Sequence, residues 1–508
     1  MHTITAPIAS AGAASIHDLF AARAPCHPLR TAVVEGERAV DYATLAARTD
    51  ALAGLLNAGG VVAGDRVAVL ARNCMEYVEA QLACARLGAI VAAQNWRLAT
   101  PELDHCLTLV APSFVLAQAG LADRLDDTGA RDLPRLVFGP DYETALRHAP
   151  PPPPPVSVGP EAGHIILYTS GTTGLPKGAL VSHRAMVARA SVFASELSIP
   201  PGDAMIAWAP MYHMASTDHM LATLMRGGTV HVVDGYDRDR LADLLARVAT
   251  RYLIAMPGMV GDFAERMAGR QVAGVGIAGA MADLVPGEEI AALTRALDAP
   301  YLNSFGSTET GFPPASGSVL PVECVPERLS KVQSTFCDVV LVDADDRPVA
   351  HGQPGEVAVR GPTVFSGYWG ADETNAHDFR GGRFHMGDVM RRNADGTLDY
   401  VDRVKFMIKT GGENVYPAEI ERVLATHPAV SEAAVTKRSD PRWGEVPVAF
   451  VVARAPVEAD TLIAHCRSSL AGYKLPKDIR FIEADAMPRS TTGKVQRHRL
   501  QERLEETP

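Results

Sequence analysis

Tyr168-Thr-Ser-Gly-Thr-Thr-Gly-Leu-Pro-Lys-Gly-Ala179 holds four Ser/Thr hydroxyls, three glycines and one lysine within twelve residues. The apolar run Ile165-Ile166-Leu167 leads straight into it, the pattern of a buried strand that empties into a donor-rich loop. Glycines let backbone N–H groups converge on an anion with no Cβ in the way, and the hydroxyls add further donors. Lys177 supplies a point charge that can follow a phosphate as it moves. The segment reads as a polyphosphate cradle. It is not the nucleotide loop in which lysine directly follows the second glycine, because Leu175 and Pro176 separate Gly174 from Lys177.

Working outward, residues 15–148 alternate helix-like and strand-like segments. Tyr42 to Leu56 and Met75 to Leu87 have helical spacing, Arg66-Val-Ala-Val-Leu70 reads as a buried strand, and Gly88 to Ala93 is again apolar. Such alternation predicts an α/β architecture with mostly parallel sheets. The unbroken prolines 150–155 exclude helix and predict a short, stiff surface connector just before the cradle. A second block of strand–helix units fills about 200–310. Beyond Val339 short strands with Gly/Pro punctuation (Val339–Val342, Glu356–Arg360) predict a small β subdomain. After Asp402-Arg-Val-Lys-Phe406 come helices at Ala418–Ala425 and Ala459–Leu470 and strands at Ala433–Lys437 and Val446–Val452, enough for a separate α+β domain. The expected division is 1–402 and 403–508, with a hinge near Lys405.

A chain of 508 residues is too long for one ordinary core. With 47% hydrophobic and 21% charged residues it is a globular protein rather than a disordered one. A net charge of −11 argues against a general nucleic-acid binder, which must neutralise phosphates. Seven scattered cysteines without C-x-x-C spacing favour reduced thiols over a disulfide framework or a zinc site. Residues 1–19 lack the basic start and continuous apolar core of a secretory leader, and no apolar stretch reaches membrane-span length. A cytoplasmic location without an integral membrane segment is expected.

Five further strings stand in order along the chain: Gly276-Ile-Ala-Gly-Ala-Met281, Asn303-Ser-Phe-Gly-Ser-Thr-Glu-Thr310, Arg383-Phe-His-Met-Gly-Asp388, Asp402-Arg-Val-Lys405 with Ile408-Lys-Thr-Gly-Gly-Glu-Asn-Val-Tyr-Pro417, and Pro488-Arg-Ser-Thr-Thr-Gly-Lys-Val-Gln-Arg497. Each alone is a common turn or cap. As an ordered set over residues 15–500 they resemble the acyl-adenylate-forming superfamily, in its acyl-CoA synthetase (carboxylic acid–CoA ligase) branch.

The resemblance implies a large N-terminal domain of stacked, mostly parallel sheets with helices and a small β subdomain, followed by a small mobile C-terminal α+β domain. It implies ATP, Mg²⁺ and coenzyme A. A carboxylate attacks the α-phosphate to give acyl-AMP and pyrophosphate, and the CoA thiol then attacks the acyl carbonyl. Thr169, Ser170, Gly171, Thr172, Thr173, Gly174 and Lys177 would hold the outer phosphates. Phe305 would stack on adenine, with Gly279 and Ala280 in the small-residue loop beside it. Thr308 would face the α-phosphate and Glu309 the Mg²⁺, a cation that suits one or two carboxylates plus phosphate oxygens. Asp388 would accept the ribose hydroxyls, Arg403 would contact ribose or phosphates, and Lys494 would bridge carboxylate and phosphate. Lys405 would be the pivot, and Gly411-Gly412 would let the thiol arm pass.

His213, in Ala209-Pro-Met-Tyr-His-Met214, matches the position that borders the substrate carboxylate. Phe193, Met214, Met256 and Ala278 outline an apolar slot for a fatty, alicyclic or aromatic acid. An amino-acid-activating relative would carry an acidic residue just after the aromatic position; Met214 stands there, with Asp218 four residues on. Trp443, Lys474 and Lys477 fit a stacking and phosphate-pairing surface for the CoA nucleotide. Partners are thus small molecules, with a homodimer allowed. Two alternatives stay open: delivery of the acyl group to a carrier protein, and a non-catalytic sensor of ATP or acyl-CoA, against which the presence of both Glu309 and Lys494 argues.

Overall fold

The computed structural model describes residues 14–169, 175–411, 413–489 and 495–506. The chain divides into two units, Met1–Asp338 with Val359–Phe384, and Val339–Ala358 with His385–Pro508. The first unit is built on a six-stranded sheet, two four-stranded sheets and a two-stranded hairpin. The six-stranded sheet has the order Arg135–Phe138, Phe114–Gln118, Arg66–Leu70, Ile90–Ala93, Gly163–Thr169, Lys177–Ser182. Its first five strands are parallel, and the last turns back antiparallel. The phosphate loop therefore leaves the carboxyl end of a parallel strand, where open α/β sheets place their ligand crevices.

A four-stranded sheet joins Arg38–Asp41, Thr31–Glu35, Thr229–Val232 and Ala204–Ala207, and another joins Thr250–Leu253, Val275–Ala278, Tyr301–Leu302 and Val319–Leu320. Ala204–Ala207 and Val275–Ala278 are near-continuous apolar runs, as strands covered on both faces are, whereas Thr229–Val232 alternates. Helix Met75–Leu87, predicted from its spacing, is buried along its whole length and stops at Gly88, whose φ of +68° is the left-handed cap a glycine takes most readily. The buried Glu79 within it is satisfied by Arg48, at 2.6 Å, and by the Tyr142 hydroxyl.

The proline run forms neither helix nor strand. It is tacked down by Arg86, which donates to the Pro153 carbonyl at 3.0 Å, and Gly54 leaves room for the Pro150 carbonyl, which would lie 2.1 Å from a Cβ there. In the second unit one four-stranded sheet runs Asp338–Val342, Pro354–Arg360, Phe384–Arg392, Leu398–Arg403. Another is dominated by the long hairpin Val430–Asp440 and Gly444–Ala453. The C-terminal helix expected to reach Leu470 ends at Arg467. There the Ser468 hydroxyl donates to the His465 carbonyl, a local bond that competes with helix continuation. Among the described residues no helix is long and apolar enough to cross a membrane.

Candidate active site

Thr169 closes its strand directly opposite Lys177, the first residue of the returning one. Ser170, Gly171, Thr172, Thr173 and Gly174, the heart of the cradle, lie outside the described residues. A segment from far along the sequence lies beside the returning strand: Ser366 N–H donates to Leu180 O at 2.8 Å, Leu180 N–H to Gly367 O at 3.0 Å, and Trp369 N–H to Gly178 O at 2.8 Å. This pairing delivers Tyr368, a residue the motifs did not point to. Lys177 Nζ sits 4.9 Å from the Tyr368 ring centroid, a cation–π contact. The Tyr368 hydroxyl donates to Glu309 Oε1 at 2.8 Å. One tyrosine thus joins the cradle's lysine to the buried carboxylate expected to hold a metal.

Glu309 lies in the turn between strands Phe305–Ser307 and Gly311–Ala315. Gly306 is obligatory there, since a Cβ would come within 1.9 Å of the Gly311 carbonyl oxygen. Phe305 is half-buried at the start of this hairpin. The carbonyl of Thr308 accepts from Arg189 Nη2 at 3.0 Å. Arg189, buried in helix His183–Ser195, also reaches Thr363 O at 3.1 Å and Asp218 Oδ2 at 3.1 Å. Asp218 is therefore spent on a buried ion pair and not presented to a substrate ammonium. Among the described residues no group of three or more His, Cys, Asp or Glu could hold a metal. A cation at Glu309 would rely on that carboxylate and on nucleotide oxygens, the ligand set Mg²⁺ accepts.

The small-residue loop follows strand Val275–Ala278. Ala278 and Ala280 are buried. Gly279 has φ +91°, and a Cβ on it would meet the Tyr301 ring at 2.3 Å. Two tyrosine hydroxyls pin the loop's carbonyls, Tyr252 on Gly279 O and Tyr301 on Ala280 O, both at 3.0 Å. Tyr252 continues into an aromatic cluster. Its ring lies 5.5 Å from His219 and 5.7 Å from Phe312, while Phe193 stacks on His219 at 4.8 Å and meets Phe312 edge-on at 5.1 Å. Phe193 is fully buried; Met256 is half-buried.

His213 caps helix Met214–Met225, its Nδ1 accepting from Ala215 N–H at 3.2 Å. In the neutral ring that places the proton on Nε2 and makes it a donor. Met214 is the first helical residue and half-buried.

In the second unit Asp388 and Arg403 stand opposite each other on neighbouring antiparallel strands, with Nε and Oδ1 2.9 Å apart. Asp388 is buried. Lys405 is exposed on the single turn Val404–Phe406, its Nζ 4.9 Å from the Phe406 ring, which also faces the Arg497 guanidinium. Just before this turn Asp402 accepts from Ala418 N–H at 2.7 Å, at the start of helix Pro417–Ala425, and burial raises its carboxyl pKa. Gly411, φ +58°, donates to the Trp443 carbonyl at 2.8 Å, and the Trp443 ring would lie 2.9 Å from a Cβ there. The glycine loop and the proposed stacking tryptophan are thus one local structure; Gly412 lies outside the described residues. Trp443 remains 41% exposed. Lys477 is exposed, whereas the Lys474 ammonium is held by both carboxylate oxygens of Glu419, at 2.7 and 2.8 Å. Lys494 lies outside the described residues.

Tyr368, Arg189, Tyr252 and Tyr301 were not singled out by the motifs. The one sequence signal available was an arginine, the lone charge inside the mostly apolar Met186–Phe193 stretch, which demands a buried partner.

Residues 20–369 match the family model described as AMP-binding enzyme, and residues 419–494 match its C-terminal domain. The chain is 35% identical to a feruloyl-CoA synthase of Amycolatopsis sp over 95% of its length and 97% of that protein. It is 34% identical to an indoleacetate–CoA ligase of Aromatoleum aromaticum, over 92% of this chain and 94% of that one. A fatty acyl CoA synthetase structure from Mycobacterium tuberculosis superposes with a TM-score of 0.79 at 29% identity, covering 97% of this chain and 99% of that one.

Proposed function

This chain belongs to the AMP-binding enzyme family, and from that premise we propose that it is an AMP-forming acid–CoA ligase for an aromatic carboxylic acid that is uncharged beyond its carboxylate. The observation that carries the choice of acid is the Arg189–Asp218 pair, which commits the nearby carboxylate to a buried partner. An ammonium or a second carboxylate entering the slot would then be desolvated without a counter-charge, at a cost of several kcal/mol. The aromatic cluster around Phe193 and the aryl acids named for two relatives, feruloyl and indoleacetate, support the aryl class.

In the first step the substrate carboxylate attacks the α-phosphorus of ATP and pyrophosphate leaves. Catalysis here is alignment and charge neutralisation. Lys177 and the cradle hold the outer phosphates, Thr308 faces the α-phosphate, and Lys494 bridges the reacting oxygens. Mg²⁺, when bound with ATP at Glu309, would neutralise phosphate charge. His213 Nε2 donates toward the substrate carboxylate. In the second step the CoA thiol attacks the acyl carbonyl, AMP leaves, and residues 403–508 have turned about Lys405 so that Gly411-Gly412 admits the thiol arm. Trp443 stacks on the CoA nucleotide, with exposed Lys477 as the cation for its phosphates; Lys474 reaches a phosphate only by leaving Glu419.

A panel of aryl, alkyl, amino and dicarboxylic acids scored by CoA-dependent AMP release tests the assignment. Aryl acids should lead, and an amino acid or dicarboxylate emerging as the best substrate would overturn it.

A further inference from the structure

Lysine is almost never fully buried unless its charge is paired. Lys331 is fully buried, and its ammonium meets three acceptors, one for each of its hydrogens. It donates to Asn303 Oδ1 at 2.6 Å and to the Leu329 carbonyl at 3.1 Å, and it pairs with Asp283 Oδ2 at 2.6 Å. Asn303 answers through its own amide, which donates to the Ser330 carbonyl at 3.1 Å. Three separate segments therefore meet at one ammonium.

The partners decide what that meeting can do. Strands Val275–Ala278 and Tyr301–Leu302 are parallel neighbours. The segments that follow them leave the same end of their sheet, where open α/β sheets place their ligands. Asp283 belongs to the single turn Ala282–Leu284 just beyond the small-residue loop, and Asn303 lies two residues before Phe305. Lys331 thus ties together the two segments to which the family resemblance gives the adenine ring. The loop it holds is not relaxed. Gly279 has φ +91°, and Met281, at φ +51°, lies in the left-handed region that side chains rarely adopt. Such a conformation persists only where its surroundings over-determine it. Tyr252 and Tyr301 fix the Gly279 and Ala280 carbonyls, and Lys331 fixes the far side of Met281 through Asp283.

We propose that Lys331 is a positioning residue for the nucleotide base: it sets the spacing between the small-residue loop and Phe305, the slot that takes adenine. It acts through Asp283 and Asn303 and touches no substrate itself. This rests on the assignment of adenine to Phe305 and the loop, and adds the group that holds the two in register.

The test measures dissociation constants of Mg·ATP and Mg·CTP for the full chain by titration calorimetry without added acid. The two nucleotides share a triphosphate and a ribose, so their ratio isolates the base. The wild type should bind ATP more tightly by about tenfold or more, ~1.4 kcal/mol. Lys331→Met keeps the length, removes every donor, and should bring the ratio to within about twofold of unity. Asp283→Asn, a milder change at the partly exposed end of the pair, should lower the ratio about threefold and serves where Lys331→Met does not fold. Equal weakening of both nucleotides, with the ratio left in place, would make Lys331 a structural staple only and overturn the proposal. Phe305→Ala separates this from the reading beneath it. If that variant keeps the ratio, or the wild type shows none, adenine does not lie at Phe305 and the reading falls, taking the role of Lys331 with it. If Phe305→Ala abolishes the ratio while the Lys331 and Asp283 variants keep it, the adenine assignment stands and the role of Lys331 alone falls.

Discussion

Glu309 and Lys405 are both assigned to the same reaction, yet their surroundings have little in common. Glu309 is buried, takes a tyrosine hydroxyl on one oxygen, and sits one residue beyond a carbonyl that a buried arginine holds. Lys405 stands exposed on a single turn, and beyond it Trp443 and Lys477 also face solvent. In the mechanism proposed above, Glu309 and its neighbours meet charge developing at phosphorus, where fixed dipoles in a dry site count most. In the same mechanism Lys405, Trp443 and Lys477 receive a long co-substrate and change place between steps, so burial of those residues would be an obstacle. On that proposal, interlocked contacts go with the phosphate chemistry and accessible ones with delivery of the co-substrate.

The sharpest blow to the interlocked side is Asp218→Ala. It leaves Arg189 buried and uncompensated, and denaturant unfolding of the full chain should show a loss of about 3–5 kcal/mol. A loss below ~1 kcal/mol would mean the pair does not hold the Thr308–Glu309 turn. The accessible side is tested by Lys405→Pro, which fixes φ near −65° and restricts Val404 as well. Acid-dependent ATP–pyrophosphate exchange should stay near wild type, while thioester formation from supplied acyl-AMP falls at least roughly tenfold, ~1.4 kcal/mol. Normal thioester formation would place the pivot elsewhere. The smallest effect is expected of Tyr368→Phe, which keeps the ring beside Lys177 and removes the hydroxyl that donates to Glu309. The Mg²⁺ concentration for half-maximal exchange should rise about three- to fivefold, under ~1 kcal/mol. An unchanged Mg²⁺ dependence would reduce Tyr368 to a packing residue.

Local patterns carried the elements well. Arg66–Leu70 and Met75–Leu87 are found at the predicted residues because a continuous apolar run and a glycine stop define them without help from the rest of the chain. Helix Ala459–Arg467 fell short of the expected Leu470 because the Ser468 hydroxyl offers the His465 carbonyl a local alternative. The motif strings named Lys177 and Glu309, but not the tyrosine that ties them, since Tyr368 reaches its place by pairing with a strand almost two hundred residues earlier. Spacing could not reveal that Lys474 is engaged by Glu419, as the two lie on separate elements. What the motifs missed is the set of long-range polar contacts, which leave no periodicity to read.

Gly279 and Tyr301 occupy a single volume, the ring filling the space where a side chain at 279 would begin. The two positions are consequently one heritable unit. A larger residue at 279 needs a smaller one at 301 and must still bear a φ of +91°, and loss of that ring also frees the Ala280 carbonyl it secures. Descendants of this chain that retool the loop must therefore cross a two-substitution gap, so this corner should drift more slowly than the open surface around Trp443.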